Sequence, residues 1–163
     1  MNEHPKALTG TAKTRAKTSR ETEAELAKPK LVVRRATIKD VKAIFEFEAR
    51  VYQPQPSMTT RMIRGQINNF PDGQFVADYD GRIVGHCATF IISGKIALKS
   101  HTWDEITGNG YASRHDADGD YLYGMEVAVV PEFRRLRIGQ RLYKARKSLC
   151  EEWGLKGIVF GGR

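Results

Sequence analysis

The sequence predicts an α/β (α+β) fold with a mixed, mostly antiparallel central sheet and helices on both faces. Three observations lead to this fold class. Strand-like and helical segments follow one another in the order strand, helix, helix, strand, strand over residues 31–93. The turn pair Asp80-Gly81 joins two of these strands as a hairpin. A strand, a helix and a final strand over residues 122–162 then predict a parallel, right-handed crossover.

The first half of this fold is predicted from residue 31 onward. Residues 31–36, LVVRRA, predict the first strand, and Thr37 caps a helix over residues 38–52 that ends before Pro54. The expected apolar face of that helix comprises Val41, Ile44, Phe45 and Glu48. A second helix begins at Thr59 or Thr60 and stops before Pro71. The hairpin strands follow over residues 74–79 and 82–93.

Two segments depart from this regular pattern. Residues 1–30 contain seven basic and four acidic residues and few large apolar side chains, which predicts a disordered basic tail. Residues 94–119 are too polar and glycine-rich for a core element and too long for a simple turn, which indicates an insertion. Four of its side chains either line a substrate site or anchor a surface loop: Trp103, Tyr111, His101 and His115.

The second half of the fold combines a buried strand with an amphipathic helix. Residues 122–130 are apolar on both faces, as expected for a central strand, and only Glu126 interrupts them. The buried stripe of the helix after this strand comprises Ile138, Leu142, Ala145 and Leu149. Gly154 ends this helix after Trp153, and residues 156–162 predict the fifth strand.

The positive charge of the chain is concentrated in the turn between the fourth strand and this helix and in the helix itself. The chain has 27 Lys and Arg residues against 19 Asp and Glu residues, and residues 134–147 contain seven basic residues and no acid. A helix N-terminus leaves backbone N–H groups unpaired and carries partial positive charge, so this turn suits an anionic diphosphate. Nucleic acid is disfavoured as a partner because its binders spread basic and aromatic residues over a longer face.

The sequence also argues against a calcium loop, other metal sites and a membrane-spanning segment. Asp116, Asp118 and Asp120 alternate as in a calcium loop, but Tyr121 and Val127 occupy the positions of the required glycine and glutamate. The histidines and the two cysteines lack metal-ligand spacing. No apolar run is long enough to span a bilayer, and the N-terminus lacks a secretory signal. We therefore expect a cytoplasmic protein without a bound metal or a membrane partner.

The element order, together with VAVVPEFRRLRIGQRLY at residues 127–143, resembles the GNAT superfamily of acyl-CoA-dependent N-acyltransferases. The family signature is Arg or Gln, two residues, Gly, one residue, and then Gly or Ala. Arg134 and Gly139 match its two ends, whereas Arg137 stands where the first glycine is usual. Because a Cβ disfavours positive φ, we expect Arg137 to fit this turn with negative φ.

The resemblance implies the acyl-CoA N-acyltransferase fold, with acetyl-CoA or another acyl-CoA as co-substrate and an amine of unknown identity as acceptor. Glu126 would accept the amine proton, directly or through water, or would instead be a structural glutamate. Residues downstream of Glu126 would pair with the pantetheine arm as a pseudo-strand and would form a cradle for the diphosphate. These expected cofactor-binding residues are Val127, Ala128, Val129, Arg134, Arg135, Arg137, Ile138, Gly139 and Gln140.

The resemblance covers residues 31–163 and implies that the last helix and strands of the family fold are missing. The segments GQFVADYDGRIVGHCATF, HTWDEITG, LYGMEV and LKGIVFGGR are similar to the acetyltransferase-like domain fused ahead of a carbon-nitrogen hydrolase domain in bacterial proteins. A fused C-terminal enzyme domain is therefore an expected partner, although amidase activity is not predicted for this chain. Two alternatives stay open: a non-catalytic acyl-CoA-binding regulatory domain of a larger enzyme, and a basic nucleic-acid-binding module.

Overall fold

A computed structural model describes residues 29–161, in which five strands form one sheet in the order β1-β2-β3-β4-β5. The strands are β1 (Leu31–Arg35), β2 (Gln74–Tyr79), β3 (Arg82–Ile92), β4 (Tyr121–Val129) and β5 (Ile158–Phe160). Neighbours from β1 to β4 are antiparallel, and β5 runs parallel to β4. This arrangement confirms the predicted mixed, mostly antiparallel sheet. The predicted disordered tail lies outside the described residues except for Pro29 and Lys30.

Five helices connect these strands in the described part of the chain. They are α1 (Val41–Val51), α2 (Thr60–Asn69), α3 (Gly94–Ala97), α4 (Trp103–Thr107) and α5 (Ile138–Glu152). A 3-10 turn at Ile38–Asp40 leads into α1, and the Thr59 hydroxyl accepts the Met62 amide at the start of α2, 3.2 Å away. None of the helices within residues 29–161 has the length and apolar character needed to cross a bilayer.

The helices cover both faces of the sheet, as two neighbouring positions of β3 show. A Cβ added at Gly85 would meet the side chains of Ile138 and Leu142 on α5. The next residue, His86, instead contacts Glu48 on α1. Successive strand residues point to opposite faces, so α1 and α5 pack on opposite sides of the sheet. Both layers are apolar, because Ile44, Phe47, Ile138 and Leu142 are completely buried.

Three details differ from the sequence prediction. Phe45 is only partly buried, and Phe47 is the fully buried aromatic residue of α1, beside the predicted Val41, Ile44 and Glu48. The segment 94–119, for which no helix was predicted, contains the short helices α3 and α4. The fifth strand pairs with β4 only over Ile158–Phe160, which is shorter than the predicted residues 156–162.

A charged cluster joins the beginning of α1 to the sheet. The Arg34 guanidinium donates to both carboxylate oxygens of Asp40, at 2.8 and 2.9 Å, and to Asp78 at 3.1 Å. The bonds from Arg34 hold the pKa of the Asp40 carboxyl down at about 2. Asp40 therefore stays ionised near neutral pH and keeps the first turn against β1.

Candidate functional site

The turn after β4 ends in an open helix N-terminus. A 3-10 segment, Pro131–Leu136, is followed by Arg137 and then by α5. The Arg137 carbonyl accepts the Arg141 amide at 3.2 Å, so the amides of the first three helical residues precede any intrahelical acceptor. These residues are the predicted cradle positions Ile138, Gly139 and Gln140. Ile138 is completely buried, whereas a Cβ added at Gly139 would have no heavy atom within 4 Å and Gln140 is exposed, so the turn is open to an anion at these two residues.

Arg137 adopts a left-handed backbone conformation, with φ 55° and ψ 32°, and the expectation of negative φ is wrong. Arg137 is the single residue between the 3-10 segment and α5, so the positive φ lies where one helical element ends and the next begins. A side chain at positive φ costs about 1–2 kcal/mol relative to the right-handed conformation. Arg137 thus adopts the backbone geometry for which glycine is better suited.

Arg137→Gly is expected to raise the free energy of unfolding by about 0.5–1 kcal/mol, because glycine adopts positive φ without the Cβ penalty. Urea denaturation followed by circular dichroism measures the change. Arg135→Gly is the matched control, since Arg135 is also exposed and does not have positive φ; it should lower stability. Equal losses in the two variants would contradict the strain at Arg137.

The arginines around this turn point to solvent. Arg134, Arg135 and Arg137 are exposed, and so is Arg141 one turn into α5. None of them forms an ion pair with an acid within residues 29–161. Their guanidinium groups therefore remain available to phosphate oxygens.

One edge of β4 is left without a strand partner beside this turn. β5 pairs with β4 only from Leu122 to Gly124, whereas β3 continues along the other edge as far as Val129. Residues 125–129, including the predicted Val127, Ala128 and Val129, therefore present an unpaired edge among the described strands. An unpaired strand edge of this kind can accept an extended amide-containing chain.

Glu126 lies at a bulge in β4, next to this free edge. Ala88 pairs with Glu126 and Thr89 pairs with Gly124, so Met125 is the extra residue. The indole N–H of Trp103 donates to the Met125 carbonyl at 3.2 Å and fixes the bulge. Tyr52, just after α1, donates its hydroxyl to Oε1 of Glu126 at 2.6 Å. The carboxylate is therefore held in place by a residue that sequence reasoning did not single out.

A cleft of about 290 Å³ opens around Glu126. Its other lining residues are Tyr52, Gly124, Met125, Val127, Tyr143, Arg146, Phe160 and Gly161. Because Tyr52 follows α1 and Arg146 belongs to α5, the cleft is lined from both faces of the sheet, beyond the last described residue pair of β4 and β5.

Cys87 lies beside this cleft but is poorly suited to nucleophilic catalysis. Its backbone pairs with Val127, and its thiol is fully buried. Burial raises the pKa of the Cys87 thiol to about 12, with a smaller contribution in the same direction from Glu126 and an opposing one from Arg146. A thiol that stays protonated near neutral pH is a weak nucleophile, so Cys87 is unsuited to forming a covalent intermediate.

Trp103, Tyr111, His101 and His115 make contacts that anchor the insertion to the rest of the domain. His101 contacts the Tyr123 hydroxyl at 3.2 Å, and the Tyr111 carbonyl accepts the Asn69 amide at 2.9 Å. His115 accepts the Ile91 amide at 3.1 Å, and burial lowers its pKa. Trp103 supports the bulge, as described above. None of the four lines the cleft around Glu126, and their contacts favour the anchoring alternative.

Comparison with known proteins identifies a family and two bacterial proteins that this chain resembles. The family model described as "Acetyltransferase (GNAT) family" matches residues 38–161. The chain is 37% identical over 134 residues to "Probable hydrolase YhcX" of Bacillus subtilis strain 168, covering 82% of this chain and 26% of that protein. It is 27% identical over 137 residues to "Uncharacterized N-acetyltransferase YkwB" of the same strain, covering 82% of this chain and 61% of that protein. This chain thus spans about a quarter of the first relative and three fifths of the second.

A solved structure shows the same fold. The "GphF GNAT-like decarboxylase in complex with isobutyryl-CoA" superposes with a TM-score of 0.64 at 24% identity, covering 72% of this chain and 58% of that chain. Because this structure superposes on the five-stranded sheet and the helices of the present chain, the two chains share a fold.

Proposed function

This chain belongs to the acetyltransferase (GNAT) family, and from that premise we propose that it is an acyl-CoA-dependent N-acyltransferase that transfers an acetyl group from acetyl-CoA to an amine. The observation that carries this proposal is the order of three features along β4 and α5. Glu126 lies in the cleft, the free β4 edge follows it, and the open N-terminus of α5 comes next.

The residues present fit an acyl-CoA along this path. The amides of Ile138, Gly139 and Gln140 would hold the diphosphate, with the exposed arginines beside them. The free edge at residues 127–129 would hydrogen-bond to the amides of the pantetheine arm. Acyl-CoA supplies the activated acyl group as a thioester.

Glu126 would act on the acceptor amine. An ammonium group is not a nucleophile, so Glu126 accepts its proton, directly or through water, and leaves the nitrogen lone pair free. Attack by this nitrogen on the thioester carbonyl forms the amide C–N bond and breaks the C–S bond, and the proton that the nitrogen then loses goes to the departing thiolate. Tyr52 positions the carboxylate through its 2.6 Å hydrogen bond. Fixing the base in this way lowers the entropic part of the barrier.

Gly139→Asp is expected to weaken acetyl-CoA binding at least about tenfold, because it adds a negative charge beside the diphosphate. Folding should be unaffected or stabilised, since the position has open space and an aspartate is favourable in the first turn of a helix. Isothermal titration calorimetry measures the affinity, and Gly139→Asn is the neutral control of similar size. Wild-type affinity in Gly139→Asp would contradict the cradle, and wild-type protein that binds no acyl-CoA would contradict the proposed function.

We also propose a cytoplasmic location, because acyl-CoA thioesters are made and used there.

A fused enzyme domain is proposed as a partner of this chain. This proposal is supported by the similarity to "Probable hydrolase YhcX", of which the matched region makes up 26%. Sequencing the reading frame at its locus tests the fusion.

A further inference from the structure

Arg146 is a buried cation in the wall of the Glu126 cleft. Only 3% of this residue is exposed, although it belongs to the most basic segment of the chain. Its position on α5 directs the guanidinium toward β4 and β5, where it lines the cleft together with Gly124 and Phe160. Arg146 is thus buried, whereas the other basic residues of the same helix are exposed.

The guanidinium finds no acceptor among the described residues. Arg146 forms neither a hydrogen bond nor an ion pair within residues 29–161, and its Nε is buried without a partner. The rings of Tyr143 and Phe160 lie over it, with 4.6 and 5.5 Å from Cζ to the ring centroids. A ring face is a weaker partner for N–H donors than an oxygen acceptor. The guanidinium has no oxygen acceptor within residues 29–161.

The strand beside Arg146 is shaped to receive it. A Cβ added at Gly124 would overlap Nη1 of Arg146, so a glycine at this point of β4 creates the space for the guanidinium. Glycine weakens a strand interior, and in such a place it often marks a close approach by another group. The position of Arg146 therefore depends on a specific residue in a neighbouring element.

A buried and unpaired cation is costly, and an anion in the cleft would offset that cost. A carboxylate suits this position because its two oxygens match the planar fork of a guanidinium. Glu126 lies in the same cleft and already accepts the Tyr52 hydroxyl. The cleft therefore presents one group for an ammonium or amine and another for a carboxylate.

We propose that Arg146 is a specificity-determining residue that binds a substrate carboxylate in the Glu126 cleft. The inference rests on the proposed acyltransferase function and extends it to a substrate class. The carboxylate belongs either to the acyl group, as in a dicarboxylic acyl-CoA, or to the acceptor, as in an amino acid.

Binding of a free dicarboxylate tests the site without requiring turnover. Succinate at constant ionic strength is expected to raise the Tm of the wild-type protein, whereas its neutral diamide should not. Arg146→Met should abolish the shift, and its own Tm should not be lower, because it replaces an unpaired buried charge with an apolar side chain of similar length. Lys144→Met is the matched control, since it removes one exposed positive charge from the same helix; it should keep the succinate shift.

Two substrate comparisons distinguish the sources of the carboxylate. If it belongs to the acyl group, the wild-type protein should bind succinyl-CoA about 10- to 100-fold more tightly than acetyl-CoA. If it belongs to the acceptor, kcat/KM for an amino acid should exceed that for its carboxamide by a similar factor. In either case Arg146→Met should lower kcat/KM or affinity for the carboxylate substrate more than for the neutral one and so remove the preference.

Three results would overturn the proposal. One is a wild-type protein whose Tm does not respond to succinate, and another is the absence of any carboxylate preference in an enzyme that binds acyl-CoA. The third is an equal loss of kcat for charged and neutral substrates in Arg146→Met, which would assign Arg146 to the leaving thiolate. A protein that responds to succinate but binds no acyl-CoA would instead contradict only the proposed function.

Discussion

Glu126→Gln is expected to lower kcat for acyl transfer by about 100- to 10,000-fold, the usual contribution of a positioned general base. Glutamine keeps the size of the side chain and an acceptor oxygen for the Tyr52 hydroxyl, but it cannot take the ammonium proton. Acetyl-CoA affinity should stay nearly unchanged, because the cradle and the free β4 edge are not altered. Steady-state kinetics with the acceptor, together with calorimetry for acetyl-CoA, measures both effects.

A matched substitution separates this effect from a general loss of negative charge. Glu132→Gln removes an exposed carboxylate from the 3-10 turn after β4, close in sequence but outside the cleft, and should keep wild-type kcat. Tyr52→Phe should lower kcat less than Glu126→Gln does, since it only releases the carboxylate from its 2.6 Å bond. Full activity in Glu126→Gln with intact acetyl-CoA binding would exclude Glu126 as the base.

The fold was predictable mainly where short sequence patterns determine the backbone. The Asp80-Gly81 pair predicts a tight hairpin, and both residues have positive φ, at 49° and 84°. Thr59 predicts the start of α2 because its hydroxyl can accept a backbone amide of the first turn. The strand, turn and helix at residues 121–152 follow in the same way from apolar periodicity, which needs no knowledge of distant contacts.

The side chains of the cleft were less predictable because they depend on contacts between distant segments. Tyr52 and Glu126 are 74 residues apart, and no local spacing rule joins them. Arg146 lies in a run of basic residues that normally indicates a solvated helix face, yet Gly124 and Phe160 enclose it. A glycine interrupting a buried strand was the one signal in the sequence for such a close approach.

Glu48→Ala is expected to lower the free energy of unfolding by about 3 kcal/mol or more, because it removes one member of a buried polar cluster. Glu48 is completely buried on the inner face of α1, at a position that helical spacing predicts. Its Oε1 lies 3.3 Å from Nδ1 of His86, and its Oε2 accepts the Ser57 hydroxyl at 2.5 Å. Alanine would leave both partners without their acceptor in a region closed to water.

Glu46→Ala is the matched control on the same helix. The Glu46 side chain is 61% exposed and pairs with Lys42 at 3.8 Å, so its loss should change stability by less than about 0.5 kcal/mol. Urea denaturation of the two variants gives both free energies under the same conditions. Similar losses in Glu46→Ala and Glu48→Ala would show that the buried cluster contributes no more than a surface pair.

The effect of Glu48 should also reach the cleft, because the cluster holds the last turn of α1 against β3. The Tyr52 amide donates to the Glu48 carbonyl at 2.9 Å, and the Tyr52 hydroxyl then holds Glu126. His86 pairs with Ala128 in β4, so the same cluster borders the strand that carries the base. If Glu48 positions Tyr52, Glu48→Ala should lower kcat at temperatures where the variant is still folded, and combining it with Tyr52→Phe should add little further loss. Independent, multiplicative losses in kcat would instead limit the role of Glu48 to stability.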